Sequence, residues 1–516
     1  MKTIPANPQA PQPVRTTPAP QLFWKRLFSK ALALGIATCA LANLQVHAIK
    51  DPFPPNPGNQ VPGVDLPGYV SQRNVLLVVM DDVGIDLMPK YVEYYATNSV
   101  VGDEIDTGST NTPLATPTFD RLVESGVTFL HAWSSPTCSP TRAGLFSGRS
   151  SFRHGVYSPS APTLPAGTTT IAQVMGDAGY ATGLFGKWHL GTVTADPLGR
   201  PHEFGWDQYA GNLGGMLTDY YNWSRTENGV TATSTTYATS QTKTDAETWI
   251  TAQSGPWMAT VTFNSAHWAQ NAGGQYYQLP PAGTAYSVRA AIDDVQMVRS
   301  MIECADRKLD ELLAAIDPVE LEKTTIILMG DNGTDSDITS HFAADHSKAS
   351  LYEGGVNVPL IIADGYTYLH GTQSSFLKGV GRVVSPGRFE DAPVQTMDLF
   401  ATIAEIGDAD ATCGTDSVSL VPYLQSATTA NQRAAIMAET LSNSGQWDLA
   451  VRGPSYKLIV RDYDGAAPTY ELYAVTTDRW ESTNLLADGA SWFESIVQAA
   501  LLGYLDDLVT LPDTCP

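Results

Sequence analysis

The sequence predicts an α/β fold: a large, mostly parallel sheet flanked by helices, followed by a smaller C-terminal α+β domain. Three observations carry that expectation. Four apolar runs break off into polar side chains: Val75–Met80 into Asp81 and Asp82, ATGLFG into Lys187 and His189, WMATVTF into Asn264 and His267, and TTIILMG into Asp331 and Asn332. A run apolar on both faces marks a central strand of a parallel sheet. Helical segments separate the runs, as parallel connections require. At 516 residues the chain also exceeds one ordinary domain.

In chain order, Met1 to Gln21 is Pro-rich and polar, a composition that buries no core. Lys25, Arg26 and Lys30 then precede ALALGIATCALANLQVHA, which reads as a secretory signal peptide ending in small residues at Val46-x-Ala48. Asn43 and Gln45 interrupt its apolar part, leaving no stable membrane span. Residues 1–48 are therefore expected to be a leader with an export signal, and the protein periplasmic or secreted. Lipid anchoring at Cys39 is the alternative, which Thr38 fits poorly. Residues 49–72, rich in Pro and Gly, read as a linker, 73–420 as the large domain, and 421–516 as the small one. TPTFDRLVESG and TTTIAQVMGDAG read as helices, with Pro117 early in the first and Gly126 and Gly179 as stops. A longer helix is expected over Val288 to Ile316, and an exposed loop or lid over the Thr/Ser-rich stretch Thr226 to Thr244. DLFATIAEIGDA closes the large domain, and AVRGPSYKLIV and TYELYAV supply antiparallel strands of the small one.

Against 30 Lys and Arg stand 53 Asp and Glu, a formal charge of -23. That balance excludes a nucleic-acid binder, which needs a positive footprint. The five cysteines include no C-x-x-C pair, so thiolate chelation of a metal is not expected. Cys413 and Cys515 are a possible disulfide in an oxidising compartment, a pairing the sequence leaves open. Ligands of open α/β sheets bind beyond the carboxyl ends of the strands. Asp81, Asp82, Asp331 and Asn332 converge there as hard oxygen donors of the kind Ca²⁺ or Mg²⁺ takes. Singly, an Asp pair after a strand is a turn or cap, and a lone His or Lys is solvated; convergence reverses the reading. Without a cation, three such carboxylates would repel one another and raise their pKa values.

The stretch SSPTCSPTRAGLFSGR, Ser134 to Arg149, places Cys138 in a turn, with a short helix from Thr141 onward. Near a helix N-terminus its thiol pKa is expected to fall. Cys138-x-Pro140-x-Arg142, continued by Leu145 and Gly148-Arg149, resembles the signature of the type I sulfatases, whose cysteine is oxidised to Cα-formylglycine. The resemblance runs roughly from Asn74 to Leu486, through VVMDDVG, TPTFDRLVESGVTF, GYATGLFGKWHLG, the DNG of ILMGDNG, HSKASLYEGGVNVP and ELYAVTTDRWESTNLL. It identifies the chain as a member of the arylsulfatase-like family, with an alkaline phosphatase-like fold.

That resemblance implies one Ca²⁺, with Mg²⁺ the alternative, held by Asp81, Asp82, Asp331, Asn332 and modified Cys138. Arg142 would hold the formylglycine; Lys187, His189, His267 and Lys348 would contact the sulfate or leaving group, with His267 as general acid. The implied reaction is hydrolysis of a small-molecule or carbohydrate sulfate ester. One hydroxyl of a formylglycine diol attacks sulfur, the S–O bond to the substrate alcohol breaks and the alcohol leaves. The second hydroxyl of the resulting sulfate ester loses its proton as the C–O bond breaks, releasing sulfate and restoring the aldehyde. A formylglycine-generating enzyme would be the maturation partner. A phosphonate monoester or phosphodiester hydrolase with the same modification is the alternative. His341, Asp345 and His346 offer a second metal site for a two-metal phosphodiesterase. Two departures stand out: Ala266 precedes His267 where the family usually has proline, and Asn357 stands where arginine is usual. Trp206, Tyr220, Tyr221, Trp223 and Trp268 flank the motifs as packing or as a substrate platform.

Overall fold

The computed structural model describes residues 73–98, 114–287, 293–339, 341–371, 382–411, 416–442 and 445–510. The leader, the signal stretch with Cys39, the linker, and the Cys413–Cys515 pairing lie outside the described residues.

Ten strands form the large sheet. In chain order they are β1 (Asn74–Met80), β2 (Gly126–Trp133), β3 (Ala181–Gly186), β4 (Gln208–Gly211), β5 (Trp223–Glu227), β6 (Val230–Ser234), β7 (Trp257–Thr262), and, after the small hairpin β8 (Ala269–Asn271) and β9 (Gly274–Tyr276), β10 (Thr324–Gly330), β11 (Asn357–Asp364) and β12 (Arg388–Gln395). Their spatial order is β12-β2-β11-β10-β1-β7-β3-β4-β5-β6. β10, β1, β7, β3 and β4 are parallel neighbours, and β12 runs parallel to β2. β11 runs antiparallel between β10 and β2. Strands pointing one way thus deliver their carboxyl ends to a single edge, and β11 begins at that edge.

Both faces of the sheet are covered, which explains the unbroken apolar runs. Along β1, Leu76, Val78 and Met80 belong to one buried layer, while Val75, Leu77 and Val79 belong to the other. β1 and β10 pair in phase from Asn74 with Thr324 to Met80 with Gly330, so Asp81 and Asp331 leave the sheet side by side. Arg73, buried at the head of β1, is anchored by Asp364 at 2.6 Å.

The helices used below are α1 (Pro117–Ser125), α2 (Cys138–Ser147), α3 (Ile171–Asp177), α4 (Ala238–Ile250), α5 (Asp294–Ala315), α6 (Glu353–Val356), α7 (Asp398–Ile406) and α8 (Trp492–Thr510); others, among them Pro89–Asn98 and Gly365–His370, complete the layers. Pro117 stands at the first position of α1, and the capping box of Thr170 and Gln173 starts α3. The long helix starts later than expected, at Asp294, where the Asp293 side chain accepts the Gln296 N–H. The expected lid over Thr226 to Thr244 is instead the β5–β6 hairpin and the first half of α4: its Thr residues alternate along paired strands. Helix α2 begins at Cys138 itself, not at Thr141, because Thr137 is already extended and Pro140 fits the first helical turn.

A second sheet, antiparallel, contains β13 (Ile436–Leu441), β14 (Trp447–Arg452), β15 (Lys457–Arg461) and β16 (Thr469–Tyr473), with α8 packed on it. Among the described residues no helix is long and apolar enough to cross a membrane.

Candidate active site

Each predicted strand end reaches the same edge. Asp81 and Asp82 leave β1, Asp331 and Asn332 leave β10, Lys187 and His189 follow β3, and Asn264 and His267 follow β7. β2 ends at Trp133 and feeds Cys138 into the same space; Lys348 arrives on the segment that precedes α6 and β11. Backbone hydrogen bonds fix these loops to one another. Asp81 N–H donates to Ser265 O at 3.0 Å and Ala266 N–H donates back to Asp81 O at 2.6 Å, so the His267 turn is tied to the end of β1. Lys348 N–H donates to Thr334 O at 2.9 Å, tying the lysine to the DNG loop. Asp82, His189 and Ala349 have φ of 59°, 56° and 69°, a left-handed region that costs L-residues free energy. All three lie at or beside the predicted site residues.

The side chains form matched charge pairs. Lys187 Nζ lies 2.6 Å from Asp81 Oδ2, and Lys348 Nζ lies 2.6 Å from Asp82. Arg142 donates through Nε and Nη2 to Asp331 Oδ2 at 3.1 and 2.8 Å, and through Nη1 to Lys187 O at 2.7 Å. Arg142 is thus fully committed to Asp331 and the β3 end. Asn332 Nδ2 donates to Asp82 Oδ1 at 2.8 Å. Three carboxylates face three cations, all buried except for part of Lys348.

Burial pushes the Asp331 carboxyl up to about 6, with Asp81 adding to the effect and Arg142 and Lys187 opposing it. Burial likewise raises Asp81, against Lys187. At Asp82 burial is outweighed by Lys348, His267 and Lys187, which hold its carboxyl well below the carboxylate range. Two of the three carboxyls are thus raised, chiefly by burial and only secondarily by their neighbours' charge, and the third is lowered.

Cys138 Sγ lies 3.2 Å from His189 Nδ1. Its thiol does not follow the expected fall: burial pushes its pKa up and outweighs Lys187 nearby. Loss of solvent around the buried sulfur disfavours a thiolate more than the neighbouring ammonium groups favour it. His189 is held down to about 2 by burial, then by Lys187 and Arg142. His267 is held down to about 3 by burial, with Lys348 and Lys187 adding and Asp82 opposing. Its Nδ1 donates to Trp268 O at 2.8 Å, so any proton it exchanges with the site is carried at Nε2, 3.9 Å from Asp82 Oδ2.

The residues fit a hard divalent cation. Asp81 Oδ1 and Asn332 Oδ1 are buried acceptors with no hydrogen-bond donor, and buried acceptors are ordinarily paired. Ligand atoms of Asp81, Cys138 and Asp331 lie within 4.8 Å of one another, as do those of Asp81, Asp82 and His267. The donor set is oxygen-rich, as Ca²⁺ and Mg²⁺ require.

Among the described residues, neither metal-capable group contains His341, Asp345 or His346. The His346 ring stacks on Tyr352 at 3.6 Å and His341 on Trp480 at 5.6 Å, while Asp345 is exposed. Trp206, Tyr220 and Trp223 are buried packing residues; Tyr221 is partly exposed. Trp268, half-buried, sets its ring 4.3 Å from the His267 ring. Asn357 is buried, donating to Leu130 O and Glu353 Oε2 at 3.1 and 2.9 Å, away from the charge pairs.

Several positioning groups have no signature in the sequence. The Tyr220 hydroxyl lies 2.6 Å from Asn264 O and 2.7 Å from His267 O, clamping the turn that carries His267. Ser139 Oγ donates to His189 O at 3.0 Å. A Cβ on Gly215 would stand 2.2 Å from the His189 ring, so only glycine lets that loop pass. Asp86 accepts from Thr334 and Thr339 at 2.6 and 2.9 Å and braces the DNG loop.

Comparison with known proteins gives the family model "Sulfatase" over residues 73–409. Human Arylsulfatase G is 42% identical over 102 residues, 19% of this chain and 19% of that protein. Mouse Steryl-sulfatase is 30% identical over 196 residues, 35% of this chain and 26% of that protein. Human Arylsulfatase D is 35% identical over 130 residues, 22% of each. The matched segments thus span about a fifth to a quarter of these relatives' lengths. Among solved structures, Ps i-CgsB in complex with k-i-k-neocarrahexaose superposes with a TM-score of 0.67 at 20% identity, covering 85% of this chain and 93% of that one. BT4656 in complex with its substrate D-glucosamine-2-N,6-O-disulfate gives 0.63 at 17% identity, covering 86% and 100%. At such identities these likenesses show the fold.

Proposed function

Because this chain belongs to the sulfatase family, we propose that it hydrolyses sulfate monoesters at the edge where Cys138, His189, His267 and the three charge pairs meet. The observation that carries the reading is the placement of Cys138. It opens the buried helix α2, touches His189, and stands within ligand distance of Asp81 and Asp331.

Asp81, Asp82, Asp331 and Asn332 would hold one Ca²⁺ or Mg²⁺, joined by residue 138. Such a cation supplies Lewis-acid charge toward the ester oxygens. Converted to Cα-formylglycine by a modifying enzyme, residue 138 supplies a hydrated aldehyde as oxygen nucleophile in place of a thiol that burial keeps protonated. Export through the leader would bring the protein to the periplasm or outside.

The chain's own residues do the remainder. Lys187 and Lys348 place ammonium groups beside the carboxylates, where the transferring group carries negative charge. Arg142, locked by two bonds to Asp331, fixes the β10 end relative to α2. His267, neutral at rest with its single proton on Nδ1 toward Trp268 O, presents a bare Nε2 to the site. It would act as general acid only after taking up a second proton at Nε2, which the negative charge of a bound ester favours. His189 lies against residue 138.

The test is hydrolysis of 4-nitrophenyl sulfate by protein co-expressed with a formylglycine-generating enzyme, set beside phenyl phosphonate esters of the same leaving group. Cys138→Ala is expected to abolish turnover with the fold retained, and the tryptic peptide of active enzyme is expected to carry an aldehyde. Full activity from an unmodified thiol would overturn the proposal. So would phosphonate turnover a hundredfold faster than sulfate, a difference of about 2.7 kcal/mol in barrier.

A further inference from the structure

A second buried ionic cluster lies behind the site, where the two sheets meet. Glu353, the first residue of α6, accepts from Trp133 Nε1 at 3.2 Å, Asn357 Nδ2 at 2.9 Å and Arg452 Nη1 at 2.8 Å, and lies 3.5 Å from Lys457 Nζ. Lys457 Nζ is 2.8 Å from Glu481 Oε1 and sits 4.7 Å over the Trp133 ring. Glu481 in turn accepts the backbone N–H of Glu353 through Oε2. Arg452 and Lys457 come from β14 and β15, Glu481 from the segment after β16, and all of these side chains are buried.

Such a cluster is a poor source of stability. Desolvating two carboxylates and two cations offsets their attraction, and well-packed apolar side chains of similar volume do as well or better. What the cluster does provide is registration. Trp133 stands five residues before Cys138, and Glu353 five residues after Lys348. Between them Ser134 N–H donates to Val356 O at 2.8 Å and Ala349 N–H donates to Pro136 O at 2.9 Å. The approach to Cys138 and the Lys348 loop are therefore laced together, and the knot is held from the second sheet.

We propose that Arg452, Lys457 and Glu481 are positioning residues for the reaction: through Trp133 and Glu353 they set the separation of residue 138 and Lys348. The inference rests on the roles given above to those two residues. Through these three residues the second sheet then serves catalysis at one remove.

Two variants of the full chain test this. Glu481→Gln is isosteric; Lys457→Met combined with Glu481→Gln removes one charge of each sign and leaves Glu353 paired with Arg452. The first readout needs no activity: amide hydrogen exchange at Ser134 and Ala349 is expected to quicken at least tenfold while the amides of β1 stay protected. The second is kinetic: kcat on 4-nitrophenyl sulfate is expected to fall at least tenfold with KM within threefold of the parent. Unchanged exchange at those two amides overturns the proposal, as does an unchanged kcat or a loss confined to KM. Parent enzyme that carries formylglycine yet turns over no sulfate ester sinks the functional reading instead, and leaves the exchange result to decide this one.

Discussion

Removing and restoring the proposed cation is the sharpest perturbation of the site. Asp81 Oδ1 and Asn332 Oδ1 are buried acceptors without donors, and each such orphan costs about 1–3 kcal/mol. Coordination relieves both, so about 2–6 kcal/mol of the binding free energy comes from these two atoms alone. At a free Ca²⁺ concentration of about 100 times Kd, linkage stabilises the folded state by about 2.7 kcal/mol. For a chain this large about 1 kcal/mol moves the midpoint by about 1 °C, so Tm should rise by about 3 °C. Asn332→Ala deletes one orphan and its ligand together, and leaves Asp82 Oδ1 without the amide that donates to it at 2.8 Å. The loss of about 1–3 kcal/mol weakens Kd by about 5- to 150-fold. The assay is thermal unfolding of EDTA-stripped protein across a Ca²⁺ series, paired with calorimetric titration of parent and variant. A midpoint that moves by less than about 1 °C at saturating Ca²⁺ refutes the reasoning, as does an Asn332→Ala protein that binds as tightly as the parent.

Three further outcomes follow from individual contacts. Gly215→Ala places a methyl 2.2 Å from the His189 ring; the ring must leave Cys138, and kcat should fall by about tenfold or more while Tm changes little, read by steady-state kinetics and thermal melts. Tyr220→Phe removes the hydroxyl shared by Asn264 O and His267 O and should cost about 1 kcal/mol of stability in urea unfolding. His267, held down to about 3 by burial, is neutral in the folded protein at pH 7, whereas the unfolded chain takes up its proton near pH 6.5. Stability from this group is therefore present above about pH 6.5 and is lost as pH falls toward 3, so His267→Gln should flatten the acid side of the Tm-against-pH curve. An unchanged acid limb would show that the imidazole is not buried neutral.

The site is legible in the sequence where chemistry follows directly from a strand. Asp81, Lys187 and Asp331 each come one residue after a run that is apolar on both faces, and one edge of a parallel sheet gathers them. Cys138 and Arg142 are legible from a local motif. What lies beyond reach depends on contacts between distant segments. The upward shift of the Cys138 thiol comes from enclosure, which no window of residues reports. Tyr220 and Gly215 act on His267 and His189 from a loop with no motif of its own. Glu353 and Arg452 are 99 positions apart. The stretch Thr226 to Thr244 misleads because composition alone marks it as loop, whereas β5 and β6 pair its threonines across a hairpin. His341, Asp345 and His346 invite a metal by residue type, whereas the stacking of two of their rings on Trp480 and Tyr352 is a contact between segments that residue type does not report.

The in-phase ladder between β1 and β10 makes the hydrophobic interior a ruler for the chemistry. Seven matched rungs separate Asn74 and Thr324 from Asp81 and Asp331. A slip of one rung would turn every side chain of β1 to the opposite layer and carry Asp81 about 3.3 Å along the strand, out of reach of its partners. Length changes are thus admissible in the connections between strands but not inside these two, and the spacing of the ligands is inherited from core residues that never meet a substrate. Variation in such a chain is free to remodel the rim while the interval from Asn74 to Asp82 stays constant, which makes that interval a better marker of retained chemistry than overall similarity.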